Sequence, residues 1–259
     1  MLNSWLLRIK TGDGLIPRLG RRIVRGTRTF RLPIPAFLNG LLRFLFEVVG
    51  AIASIGRWFL AVVFYEPLFR GRCVRVGKRA RITRLPFVVG PVQIALGDDV
   101  NFFGKVDVMS GHILAGPRLV LGDRVDIGHN VSFVVNQLIE IGDDVNVASG
   151  VRFMDSDAHP RDTIERISDM APRPEEIKPV KICRRAWIGQ NTFILKGVTI
   201  GEGAIIGVNS VVVTDIPPYS VAMGNPARVV VKGAAPSNET TTAKSISNSD
   251  DTTTTSPPN

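Results

Sequence analysis

Three histidines, His112, His129 and His159, are the side chains of this sequence best suited to moving a proton near neutral pH. They stand 17 and 30 residues apart with no close pair, which does not fit a three-histidine zinc site, so no metal is expected. The two cysteines, Cys73 and Cys183, are too few for a disulfide scaffold and point to a reducing compartment. No constellation around a nucleophilic Ser or Cys stands out, so chemistry at His159 would be direct rather than through a covalent intermediate. His159 has the most distinctive setting. It lies in residues 154–179 (MDSDAHPRDTIERISDMAPRPEEIKP), a polar, Pro-rich stretch that interrupts a regular pattern. His129 follows Ile127-Gly128 at a turn position and reads as a surface or interface residue. His112 lies in the Gly-rich segment MSGHILAGP and also reads as a surface residue.

The interrupted pattern has a period of six. From Ile182, large aliphatics recur at Ile188, Ile194, Ile200, Ile206 and Val212, with smaller residues at Ala186, Thr192, Val198, Ala204 and Ser210. The same phase runs through Leu121, Ile127 and Phe133, and through Ile141, Val147 and Phe153. Leu96-Gly97-Asp98-Asp99-Val100, Leu121-Gly122-Asp123-Arg124-Val125 and Ile141-Gly142-Asp143-Asp144-Val145 are near copies. Six is neither the helical period nor plain strand alternation. It fits short strands joined by tight turns, where Gly or Asn accepts positive φ. Each such coil exposes its edges, so coils must stack into a solenoid around one aliphatic column. An insertion leaves a solenoid at a corner as an external loop, and His159 falls on that loop.

Two stretches, DSDAHPRDTIER (155–166) and AWIGQNTFILKGVTIGEGAIIGVNSVVVTDIPPYSVAMGNPARVV (186–230), resemble the hexapeptide-repeat acyltransferases. The nearest branch is the sugar O-acetyltransferases, such as the galactoside, maltose and colanic acid enzymes. The resemblance covers about residues 71–232. It implies a mainly β fold, a left-handed parallel β-helix of triangular section, and a homotrimer with sites between chains. It also implies acetyl-CoA as donor, a saccharide acceptor, and His159 as the general base. A carboxylate or carbonyl would orient the other ring nitrogen; Asp155 and Asp157 are both near enough in sequence. Asn130, Asn136 and Asp157 are the candidates for acceptor contact, and Asn136 stands where the family often has Asp. Trp187 would wall the reaction site. The backbone at Gly189, Gln190, Gly207 and Val208 would bind the pantetheine arm and polarise the thioester. Arg228 would meet the donor phosphates, with Lys196 or Lys232 as further cations, since Thr214 stands where the family often has Lys. Three other readings stay open: N-acetyl transfer to a nucleotide sugar, O-acetyl transfer to serine, and a non-catalytic membrane-attached solenoid.

The flanks have other compositions. Residues 1–35 hold eight Lys and Arg against the single acid Asp13, whereas residues 71–235 carry only a small positive excess. A nucleic-acid enzyme more often has a basic stripe on its body, so no nucleic-acid partner is expected. Residues 37–65 are the most apolar stretch, yet Arg43, Glu47, Gly50, Ser54 and Arg57 recur at spacings of 4, 3, 4 and 3, one face of a helix. Residues 8–65 are therefore expected to meet a membrane surface, basic groups against anionic headgroups; packing on the body and spanning are the rivals. The expected location is cytoplasmic, peripheral on the inner face of the membrane. Residues 236–259 hold one large aliphatic, Ile246, and read as a disordered tail. The expected divisions are 1–70, 71–235 and 236–259.

Overall fold

The computed structural model describes residues 14, 15, 17–20, 22, 35–168 and 170–233. Most of the basic N-terminal residues (Arg8, Lys10, Arg21, Arg25, Arg28 and Arg31) and the tail 236–259 lie outside the described residues.

The repeat folds as the mainly β, left-handed parallel β-helix that the resemblance implies, whereas its period by itself implied only a stacked solenoid. Each coil lays one short strand on each of three faces. The first face stacks Arg75–Val76, Gln93–Leu96, Arg118–Leu121, Leu138–Ile141, Val180–Ile182 and Thr199–Ile200. The second stacks Arg81–Ile82, Asn101–Phe102, Asp126–Ile127, Asn146–Val147, Trp187–Ile188, Ile205–Ile206 and Val221–Gly224, and Ala227–Val231 closes it as an antiparallel hairpin partner. The third stacks Phe87–Val89, Val106–Met109, Val131–Val134, Arg152–Met154, Phe193–Ile194 and Val211–Val212.

The six-residue phase sets the register. Ile141, Ile182 and Ile200 align on the first face. Val147, Ile188 and Ile206 align on the second, and Phe153, Ile194 and Val212 on the third. All of these side chains are buried in one continuous core, as are Ala186, Thr192, Val198, Ala204 and Ser210. Phe133 and Phe153 stack there with ring centroids 5.0 Å apart and planes 6° from parallel.

Two chemistries make the corners. The third residue after the aliphatic takes positive φ: Asn191 and Asn209 at 56°, Gly197 at 77°. The glycine directly after the aliphatic has a different reason, which corrects the expectation of turn freedom there. A Cβ on Gly189 would sit 2.5 Å from the Ile206 carbonyl oxygen, and one on Gly201 would sit 2.4 Å from the Pro218 nitrogen. Glycine at these positions lets one coil lie on the next. The repeated Gly-Asp pair adds a ladder of carboxylates. Asp98 accepts from the Lys78 amide, Asp123 from the Asp98 amide and Asp143 from the Asp123 amide, each at 2.8 Å. Beside it, Arg79 pairs with Asp99 and Arg124 with Asp144.

At the N-terminal side, helix α1 (Asn39–Leu60) runs through a π-helical turn (Ala61–Tyr65) into α2 (Glu66–Arg72). Among the described residues, Ala36–Arg72 is one helix long and apolar enough to cross a membrane. None of α1 is buried. Two compact units divide at Gly56 and Arg57, within that helix. The end of the helix belongs with the β-helix because Phe69 enters its core, 5.7 Å from the Phe102 ring. Arg72 fixes that junction by donating to the Val92 and Gly90 carbonyls at 3.1 and 3.0 Å.

Candidate active site

The chain leaves the third face after Met154 and rejoins the first at Val180. Between them lies the excursion that carries His159. It contains a short helix, α3 (Thr163–Ile167), that the sequence reading did not anticipate. The signal was present: Asp162 is followed three places later by Glu165. The Asp162 carboxylate accepts from the Ile164 and Glu165 amides at 2.9 and 3.0 Å. Arg173 returns to Glu165 at 3.1 Å and closes the loop on itself.

The root of the loop is the best-held part. Asp155 is fully buried, and its carboxylate accepts from three successive amides: Asn136 at 2.8 Å, Gln137 at 2.7 Å and Leu138 at 3.0 Å. Burial pushes this carboxyl above its ordinary range, while the amides pull it back. Asp155 is therefore committed to the backbone of the preceding coil and does not orient His159. Asp157 is committed elsewhere too. It pairs with Lys196 at 2.6 Å and Arg161 at 3.6 Å, which pins the loop to the following coil. Lys196 is thus spent on the loop rather than held for donor phosphates. Among the described residues, no hydrogen bond or ion pair ties down the exposed His159 ring.

His159 lines a cleft of about 320 Å³ with Gly111, His112, Ile113, Ala158, Met170, Ala171 and Pro172. The presence of His112 is a correction. Its segment, residues 110–117, leaves the β-helix at the same corner two coils earlier, between Met109 and Arg118. No periodic signal could have placed it beside His159. Asn136 lies at that corner on the intervening coil. It is only 3% exposed, accepts from the Gly111 amide at 2.8 Å and donates to Ser156 Oγ at 2.6 Å. The expected acceptor contact at Asn136 thus gives way to an internal one, and Ser156 is a residue that sequence reasoning missed. Asn130 takes φ of 60° and donates its amide to the Lys105 carbonyl, the role of a corner asparagine.

The candidates for donor contact lie elsewhere on the coil. Trp187 stands on the second face, 53% exposed, between Asn146 and Ile205. Gly189, Gln190, Gly207 and Val208 form the corner between the second and third faces. The Gly189 and Gly207 amides already donate to Ile206 and Ala222 at 2.8 Å, so they do not serve a ligand. Gln190 and Val208, both exposed and outside the strands, remain. Gln190 also lines a cavity of about 410 Å³ with Gly128, His129, Ala148 and Ser149 along that corner. His129 accepts there from the Lys105 amide at 3.1 Å. Arg228 is exposed on the closing hairpin, opposite Met223. His159 and the donor candidates therefore lie apart, His159 at the corner between the third and first faces and Gln190 and Val208 at the corner between the second and third faces of later coils. Burial pushes the Cys73 thiol up to about 11, which keeps it protonated and unreactive near neutral pH.

Residues 179–214 match the family described as "Bacterial transferase hexapeptide (six repeats)". A Schizosaccharomyces pombe protein named "Putative acetyltransferase" is 36% identical over 117 residues, 45% of this chain and 54% of that protein. A Saccharomyces cerevisiae protein named in the same way is 34% identical over 126 residues, 49% of this chain and 62% of that protein. A Staphylococcus aureus protein of the same designation is 52% identical over 58 residues, 22% of this chain and 29% of that protein. This chain thus spans less than two thirds of the length of these relatives. Among solved structures, AntD, an N-acyltransferase from Bacillus cereus in complex with dTDP and coenzyme A, superposes with a TM-score of 0.51 at 20% identity. That match covers 65% of this chain and 89% of AntD, and shares the fold. Residues 179–214 are thus similar to the hexapeptide-repeat transferases, and the likeness to AntD is one of fold.

Proposed function

We propose that this chain is an acetyl-CoA-dependent O-acetyltransferase that acylates a saccharide hydroxyl by direct transfer, with His159 as general base. The observation that carries this reading is the setting of His159. An exposed imidazole stands on a corner loop whose root is bolted down by Asp155, beside a cleft, on a β-helix whose relatives bear acetyltransferase names. An unprotonated ring nitrogen takes the acceptor O–H proton as the oxygen attacks the thioester carbonyl. The C–O bond forms, the tetrahedral intermediate collapses, and the C–S bond breaks. The departing thiolate recovers the proton from the imidazolium and leaves as coenzyme A.

The two groups of candidate residues support a homotrimer with shared sites. His159 at one corner of a protomer would face Trp187, Gln190, Val208 and Arg228 of a neighbour. Gln190 and Val208, exposed at their corner, suit the amides of the donor arm, and Arg228 suits its phosphates. The exposed apolar helix supports attachment to a membrane surface, for which the cytoplasmic face is the proposed side. An acceptor met there would be a lipid-linked saccharide or exopolysaccharide precursor.

The test is thiol release from acetyl-CoA with a saccharide panel, followed by mass analysis of the product. His159→Ala should lower turnover by about 100-fold or more, the usual worth of a general base. Turnover equal to that of the native chain would remove His159 as base, and an amide-linked product would move the reading to N-transfer.

A further inference from the structure

We propose that His112 is an acceptor-binding residue, the second imidazole of a saccharide subsite whose first is His159. This rests on the reading of His159 as base and adds the side of the cleft that holds the acceptor. Two excursions leave the β-helix at one corner, residues 110–117 and the longer loop that carries His159. They would be independent surface loops but for the coil between them. Its buried Asn136 takes the Gly111 amide with one side-chain atom and holds Ser156 Oγ with the other. The Asn136 backbone is itself fixed by Asp155. The residue next to His112 and the root of the His159 loop are therefore fastened to one amide group. Fully satisfied buried networks of this kind are rigid and costly to break. The space at Gly111 is also closed, since a Cβ there would sit 2.9 Å from Asn136 Oδ1.

The cleft so formed suits a sugar ring. Ile113, Met170 and Pro172 line it together with the two imidazoles. Apolar side chains meet the C–H face of a pyranose, while imidazole nitrogens donate to or accept from hydroxyls. At about 320 Å³ the cleft is at the small end of ligand sites and suits one sugar residue rather than a chain. One imidazole takes the proton of the reacting hydroxyl. The second, lining the same cleft, has no role in that transfer and is available to hydrogen-bond another hydroxyl of the same ring. His112 therefore contributes to which saccharide binds and which hydroxyl is presented.

The experiment uses the full chain, acetyl-CoA and the saccharide panel. His112 is exposed, so its variants should fold. His112→Ala should raise the acceptor KM about tenfold, the worth of one hydrogen bond, with the acetyl-CoA KM unchanged and kcat within about threefold. His112→Gln, which keeps a hydrogen-bonding group, should recover part of that loss. Saturation-transfer NMR with the same saccharides reads binding without turnover and should show weaker contacts in His112→Ala. An unmoved acceptor KM and unmoved saccharide binding in His112→Ala would overturn the inference while leaving the base assignment intact. Native turnover in His159→Ala would instead bring down the underlying reading.

Discussion

The apolar residues of helix α1 and those of the β-helix meet opposite fates. Helix α1 has 22 residues, rich in Leu, Ile, Phe and Val, and none is buried. In the β-helix the aliphatics of every hexad are buried to within a few percent. Apolar content does not separate the two regions; spacing does. One aliphatic every six residues turns inward at each face and meets its counterpart in the next coil. A continuous apolar run on a helix has only one side that this chain could cover, so the rest stays open to another apolar phase. The end of the helix shows the switch, because Phe69 enters the core of the β-helix whereas Phe64 and Leu68 remain exposed.

This contrast can be broken by substitution. Phe153→Ala removes one ring of the stacked pair in the column and should cost about 3–5 kcal/mol, read as a shift in chemical denaturation. Phe46→Ala in α1 should stay within about 0.5 kcal/mol in the same assay, while weakening association with anionic vesicles. Comparable losses at both positions would mean that α1 is packed against protein.

Asp155→Ala tests whether the loop root depends on its buried carboxylate. Three amides lose their acceptor, and Gln137 lies where water can replace it. A loss of about 2–4 kcal/mol is expected, together with lower turnover because His159 is no longer held. Gly189→Ala should cost about 1–3 kcal/mol, since its Cβ would collide with the next coil rather than with its own turn. A neutral outcome would restore turn freedom as the reason for that glycine.

The smallest effect concerns the Arg-Asp pairs on the corners. The hydrogen-bonded Arg124 guanidinium holds the Asp144 carboxyl below its ordinary range. A depressed folded-state value means that the pair stabilises above the unfolded carboxylate pKa, about 3.9, and that this is lost as pH falls through the lower folded value. The thermal midpoints of the native chain and Asp144→Asn should therefore differ slightly from pH 7 down to about pH 4 and converge in stronger acid. A gap that widened on acidification would reverse the assigned sign.

Much of the fold was legible because a solenoid repeats its own environment. Ile182, Ile188 and Ile194 each meet the same kind of neighbour one coil away, so period alone says which side chains are buried. The near copies around Asp98, Asp123 and Asp143 likewise marked equivalent places on stacked coils, though not that each carboxylate would accept the amide of the preceding coil. The site was less legible. His159 stood out because its loop breaks the period. Asn136 looked like an acceptor ligand by position alone, and its burial gave it another task. Gly189 and Gly207 looked available for the same reason, and the coil ladder had already used their amides.

By itself, then, the order of residues determined the coil, its register and the corner from which His159 leaves, because each depends on contacts repeated at a constant interval. Only the folded chain decided that His112 shares the cleft, that Asp155 serves the backbone and that Asp157 serves Lys196. Those contacts join residues that lie 17 to 39 positions apart in sequence, with no period between them. A side chain at a corner has several partners within reach, and the stacking of coils selects among them.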